Sequence, residues 1–391
     1  MSTVLRSRRI VTENGIVDGV IEINEGKIVR IGPAEGPIDL DFEDQRIIPG
    51  IIDIHNHGFG GWSMTDPATC RDVQGFAKAV ASVGVTGVLP TAKEEAFEAI
   101  ADCTDIPLEG AWIYGVHSEG PFWARGGENT VGEDYPLPDV EEAQRLIDKA
   151  KGKMVMMAIA PELPKAYDVI RLLHENGIKV ASAHTKAYSE DIRKAMQEVG
   201  LDIVTHLCNG MRGIHHRNVG ALGQYLLEDN LRYELITDLN HVCKEMIQIC
   251  LKMQPVEKFC LISDSNYIAG LPTGHYMRYN KEMIADEKGL ILDLHGRICG
   301  SGKWVLYNIG QLVNVVGVSL EDAVRMASLN PAKFLGIDQR TGSLTEGKQA
   351  DLAVIDDQYQ CLMTMVEGRI VYDRNQDKDV FNPEAMKRKI A

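Results

Sequence analysis

Two histidines one residue apart end an apolar run in "IIPGIIDIHNHGFGG", residues 47 to 61, and flexible glycines follow at once. In an extended strand residues i and i+2 share a face, so His55 and His57 would aim two imidazoles at one point. Imidazoles paired in this way can hold a divalent metal; the same tripeptide would also serve as plain polar residues where a strand leaves the core. Residues of matching chemistry recur along the chain. Glu119 in "GVHSEGPF", His184 in "SAHTKA", His206 in "VTHLCNGM" and Asp264 in "LISDS" each close a short apolar segment. Four imidazoles and two carboxylates suit zinc, iron, manganese or a similar ion, and two ions could share Glu119 as a bridge. In that company Asp264 is placed to take a proton from a metal-activated water and pass it to a leaving group.

For these residues to meet, the segments that carry them must end at one place. Between about 47 and 340 the pattern alternates strand and helix. Its strands read "GIIDIH", "VTGVLPT", "WIYGVHSEG", "KMVMMAIAPE", "IKVASAHT", "DIVTHL", "RYELITD" and "FCLISDS". Eight such units predict an α/β chain built as a (β/α)8 TIM-like barrel, whose active site lies at the carboxyl ends of the strands. His55 and His57 then end the first strand, Glu119 the third, His184 the fifth, His206 the sixth and Asp264 the eighth. Asp66-Pro67 reads as the start of a helix with Val73, Phe76, Ala77 and Val80 on its buried face, stopped by Gly84. Ser319 with Asp322 opens another, carrying Leu320, Ala323, Val324 and Ala327, with Asn330-Pro331 as its stop.

The two chain ends differ from this middle and resemble each other. Residues 3 to 31 and 343 to 372 alternate short β-branched runs with turn pairs such as Asn14-Gly15 and Glu25-Gly26. A small β-sandwich domain built from 1–46 and 343–391 is expected, with the barrel, 47–342, inserted between its halves. No apolar run reaches membrane-spanning length and no signal-peptide core follows the first residues, which points to a cytoplasmic protein. The net charge of −15 argues against nucleic acid or an anionic membrane as partner. The eight cysteines form no CxxC pair and read as reduced residues of apolar segments.

"PGIIDIHNHG", "GVHSEGPF", "AHTKA", "THLCNGM", "LISDS" and the tail "GSLTEGKQADLAVID" stand in an order and spacing that resembles the amidohydrolase superfamily, and within it the N-acetylglucosamine-6-phosphate deacetylase branch. The likeness covers nearly the whole chain. It implies that His55, His57, Glu119, His184 and His206 hold one or two divalent ions, with Asp264 as proton shuttle in hydrolysis of a linear amide. It also implies that Arg217 and His241 grip the phosphate of an anionic amino-sugar phosphate, that Asn209 and Gly210 line the substrate, and that the chain forms a homodimer. A guanidinium fork suits phosphate because it gives paired, charged hydrogen bonds. The fourth strand ends "AIAPE", without the carboxylated lysine that many other amidohydrolases use as a bridge, which favours the glutamate-bridged branch.

Three departures fall on the substrate side. The branch usually reads "KGAH" after "EGPF", and its histidine polarises the amide carbonyl; here the stretch is "RGGEN", with Glu128 at that place. "AHTKA" sets Lys186 beside a metal ligand, and "CGSGKW" replaces "LAGS" after the eighth strand. A glutamate beside a developing oxyanion repels it, which predicts slow turnover of N-acetylglucosamine 6-phosphate unless the substrate, Lys186 or a histidine supplies a donor. The expected activity is deacetylation of N-acetylglucosamine 6-phosphate or a close relative. The alternatives are an amidohydrolase acting on another N-acyl substrate, an N-acyl amino acid or modified amino sugar, and a non-catalytic barrel that binds a metabolite.

Overall fold

The computed structural model describes residues 2–126, 134–278, 281–387 and 389–390. Eight parallel strands, Ile51–Asn56, Val85–Ala92, Val116–Glu119, Met154–Ile159, Lys179–Ser182, Ile203–Val204, Arg232–Leu235 and Phe259–Leu261, pair in chain order. A parallel bridge between Asn56 and Ser265 brings the first strand to the eighth, so the sheet forms the TIM-like barrel. Helices occupy the crossovers, from Cys70–Ala81 after the first strand to Lys244–Met253 after the seventh. Among the described residues no helix is long and apolar enough to cross a membrane.

Strand alternation sorts the apolar residues into an inside and an outside. Ile52, Ile54, Met156, Ala158, Ala181, Ala183, Cys260 and Ile262 fill the barrel interior, and Ala332 and Phe334 join them. The Phe334 ring lies under the ammonium of Lys179, the first residue of the fifth strand, so this plug sits at the end opposite the histidines. Met154, Met157, Val180, Val204 and Leu261 pack outward against helices through residues such as Val73, Phe76 and Val80.

Both chain ends contribute to one eight-stranded sheet, in the order Arg369–Asp373, Cys361–Val366, Leu352–Ile355, Arg46–Pro49, Ser2–Thr12, Gly15–Asn24, Lys27–Gly32, with Leu40–Asp41 beside Ser2–Thr12. All four residues of Leu352–Ile355 are buried because its two faces meet different cores. Leu352 and Val354 join Leu5, Ile10 and Ile21, while Ala353 and Ile355 pack on the barrel. The chain passes from Arg46–Pro49, still paired in this sheet, through Gly50 into the first barrel strand.

Several local expectations shift. The first helix begins at Cys70 rather than near Asp66-Pro67, because the Thr69 N–H and hydroxyl both donate to Asp72 and set the cap there. Asn330-Pro331 does not end helical structure: Leu320–Ala327 stops at Ser328, and a new helix, Leu329–Leu335, takes Pro331 into its first turn, where no N–H is needed. The third strand is split into Trp112–Ile113 and Val116–Glu119, with Gly115 at a φ of 128° between them. A further five-stranded sheet, built from Gly274–Arg278, Lys281–Ala285, Leu290–Asp293, Ile298–Ser301 and the terminal Lys389–Ile390, follows the eighth strand. Its strands are short and bury only a small cluster around Ile268, Tyr276 and Ile291, too weak a pattern to stand out in the sequence.

Candidate metal centre and substrate cavity

A bulge aims the first pair of histidines. Between Asp53 and Asn56 the first strand advances three residues while its partner advances two, from Val88 to Pro90. The extra residue flips the alternation, so Ile54 and His55 both face inward and His57 follows on the same side. The buried Asp53 carboxylate braces this irregularity, accepting from the Ser263 hydroxyl at 2.6 Å and Asn56 Nδ2 at 3.0 Å. Burial pushes its pKa up to about 6 against the pull of those donors.

His184, His206 and Asp264 reach the same mouth from left-handed backbone, at φ of 47°, 29° and 48°. Such a conformation costs a non-glycine residue roughly 1–3 kcal/mol. Backbone bonds hold each one. The His184 carbonyl accepts from Ala124 and Arg125, His206 N–H donates to Glu234, and Asp264 donates to the His55 carbonyl and accepts from Ser301. At about 1 kcal/mol each, these bonds roughly offset the strain.

Glu119 stands at the centre. Its Oε2 lies 3.2 Å from His57 Nε2 and 3.8 Å from His55 Nε2, while Oε1 lies 2.9 Å from His184 Nε2 and 3.1 Å from His206 Nε2. Each carboxylate oxygen therefore serves one imidazole pair, and among the described residues the candidate ligand groups are His55–His57–Glu119 and Glu119–His184–His206. Within each pair the Nε2 atoms stand 3.3 Å apart. Two nitrogens bound to one ion at about 2.0–2.1 Å with a tetrahedral angle stand about 3.3 Å from each other, so both pairs fit a divalent metal. Asp264 Oδ1 lies 3.5 Å from His55 Nε2 and 3.4 Å from His57 Nε2, on the first half of the site.

The charges agree with this fit. Burial opposes ionisation throughout, yet His55 and His184 hold Glu119 well below the usual carboxylate range, and His55 and His57 hold Asp264 at about 2. Burial likewise works against a charged His57, but Asp264 and Glu119 raise it to about 9. In the metal-free protein a proton thus stands where an ion's charge would, and metal must displace it. Lowering the pH from 9 favours the proton, so affinity in the first half-site should fall by up to about tenfold per pH unit for one displaced proton. Zinc titrations against a competing chelator at pH 6, 7 and 8 check this; an affinity flat across that range contradicts it.

A cavity of about 230 Å³ lies above the cluster, a size for a small molecule. Asn209, Gly210 and His241 line it together with His57, Glu119, His184, His206 and Asp264. Gly210 has a φ of 62°, and a Cβ there would stand 3.2 Å from His184 Nδ1, a strained and close approach to the candidate ligand that favours glycine. His241 Nδ1 donates to Asp238 Oδ2 at 2.7 Å, and Ser301 donates to the same oxygen at 3.1 Å. That fixes the ring of His241 with Nε2 on the other side. Arg217 and Lys186 are exposed and do not line the cavity, and Glu128 lies outside the described residues.

Trp123, Arg297 and Ile298, which stand outside the motifs, also line the cavity, together with Cys299 and Gly300 of "CGSGKW". Trp123 packs its ring 4.3 Å from the ring of His184, and Arg297, Ile298, Cys299 and Gly300 descend from the inserted sheet. That sheet is tied to the mouth, since Asn266 N–H donates to the Ser301 carbonyl and Ser301 N–H to that of Asp264. Arg297 is held at 2.6 Å by Asp293 through Nε. Two clues were present in the sequence: a glutamate inside the apolar strand "RYELITD", Glu234, and an aspartate three residues before a histidine, Asp238 and His241.

A barrel with a glutamate shared between two imidazole pairs at its carboxyl face defines a metal-dependent hydrolase centre. Residues 46–371 match the amidohydrolase family, and the chain belongs to that metal-dependent family. It is 31% identical over 375 residues to N-acetylglucosamine-6-phosphate deacetylase of Vibrio furnissii, covering 93% of this chain and 90% of the relative. It is equally 31% identical over 380 residues to N-acetylgalactosamine-6-phosphate deacetylase of Escherichia coli O157:H7, covering 95% and 99%. A solved aspartate-to-alanine mutant of the deacetylase from Mycobacterium smegmatis, in complex with N-acetyl-D-glucosamine-6-phosphate, aligns with a TM-score of 0.83 at 26% identity, over 95% of this chain and 99% of that one.

Proposed function

We propose that the protein hydrolyses the acetamide of an N-acetylated hexosamine 6-phosphate, releasing acetate and the free amino-sugar phosphate. The observation that carries this reading is the position of Glu119, one oxygen to each imidazole pair, at the floor of a small cavity. We assign one ion to His55, His57 and Glu119 and a second to Glu119, His184 and His206, of zinc, iron or manganese type. Ions held there lower the pKa of water and polarise an amide carbonyl. Asp264, ionised at neutral pH, takes the proton from the attacking water and delivers it to the departing nitrogen, so that the C–N bond breaks to a neutral amine. Trp123 supplies an apolar wall for a sugar ring, and His241 presents Nε2 to a hydroxyl or phosphate oxygen.

Relatives of equal identity act on the gluco and the galacto substrate, so both epimers belong to the proposed class. The protein works as a cytoplasmic homodimer in this reading. Exposed Ile249 and Met253, one turn apart on Lys244–Met253, support a self-association face.

The phosphate needs a cation, and among the described residues lining the cavity Arg297 carries the guanidinium. Arg297→Ala should weaken use of a phosphorylated substrate by about 2–3 kcal/mol and leave the unphosphorylated N-acetylhexosamine nearly unchanged. Steady-state kinetics on both compounds, with Arg217→Ala beside it, test the assignment. Equal losses on the two substrates remove phosphate from the role of Arg297, and a phosphate-specific loss in Arg217→Ala alone moves the anion site to that exposed loop.

A further inference from the structure

Glu234 lies inside the seventh barrel strand with its side chain wholly buried. Its Oε2 accepts from His55 Nδ1 at 2.8 Å and from the backbone N–H of His206 at 3.2 Å. One oxygen therefore touches a ligand residue of each half-site. Among the described residues Oε1 has no hydrogen-bond partner. No lysine or arginine of the described residues pairs with this carboxylate, and a buried charge without such a partner is retained only if something else compensates it. Among the described residues the Nδ1 atoms of His57, His184 and His206 are buried without partners, and His55 is the candidate ligand whose far nitrogen is held by a side chain.

We propose that Glu234 is a positioning residue for the metal centre. By accepting Nδ1–H it fixes the tautomer of His55 and turns the Nε2 lone pair toward His57 and Glu119. Its negative charge makes that imidazole a stronger ligand, whereas at His206 it meets only the backbone N–H and leaves the imidazole untouched. A carboxylate behind a ligating histidine typically contributes about 10- to 100-fold in metal affinity. The proposal rests on the two-ion reading above.

The test is zinc titration of the metal-free full chain against a competing chelator, with wild type, Glu234→Gln and His55→Ala compared, and thermal unfolding measured alongside. Glutamine keeps the volume and still accepts one hydrogen bond while removing the charge. The expected result is two ions in wild type, one in His55→Ala, and in Glu234→Gln two ions with one affinity reduced at least about tenfold and the other nearly unchanged. Equal affinities in wild type and Glu234→Gln, an equal fall at both sites, or a glutamine variant that no longer folds each overturn the proposal, the last two by making Glu234 a structural residue. A wild type that takes up a single ion, kept by His55→Ala, fails the two-ion reading itself and takes the proposal with it.

Discussion

Replacing Glu119 by glutamine is expected to empty both halves of the metal centre and abolish turnover. Each carboxylate oxygen faces a different imidazole pair, at 2.9 to 3.8 Å, so a neutral amide loses charge on both sides and offers an NH2 group to one of them. In the two-ion reading, bound metal would supply several kcal/mol of transition-state stabilisation, and its loss should lower kcat/KM by at least about 10³-fold. Elemental analysis with parallel kinetics checks this. Retention of both ions would show that the histidines suffice and that Glu119 is not the bridge.

The second large effect is expected at Asp264. Its carboxylate is held ionised at about 2, against burial, by His55 and His57, and stands 3.4 Å from His57 Nε2. Asp264→Asn preserves the shape and removes the proton acceptor. Turnover should fall about 10²- to 10⁴-fold, the usual scale for a general acid-base group, while most of the metal stays bound by the imidazole pairs and Glu119. Metal content and single-turnover kinetics separate the two roles. Near-normal turnover contradicts the proton shuttle, and loss of metal in step with activity makes Asp264 a ligand first.

Which parts of this centre the sequence discloses follows from how local their causes are. The eight strands are visible because each is a short apolar run, and the candidate ligands stand out because histidine and carboxylate interrupt those runs at matching ends. The simple alternation that pairs His55 with His57 is true in outcome and incomplete in cause. Ile54 faces inward as well, and the bulge that permits both depends on register against Val85–Ala92, which no local pattern encodes. The left-handed turns at His184, His206 and Asp264 are likewise hidden: histidine and aspartate enter positive φ more readily than most residues, but bonds from distant parts of the chain decide where they do so. Arg297 and Cys299 reach the cavity only because the inserted sheet is tethered to Asp264 and Asn266. Arg217, which the resemblance assigns to the phosphate, lies on an exposed loop where its backbone N–H donates to His215, and its role is left to the kinetic comparison with Arg297.

The measurement that bears most directly on the whole account is product release by the purified, metal-loaded protein from N-acetylglucosamine 6-phosphate and N-acetylgalactosamine 6-phosphate. Acetate and free amine are followed together, and a chelator-stripped sample serves as control. Acetate and amino-sugar phosphate should appear in equal amounts from at least one epimer, stripping the metal should stop the reaction, and restoring it should recover the rate. No acetate from either sugar phosphate, with steady release from an N-acyl amino acid, would contradict the proposed function.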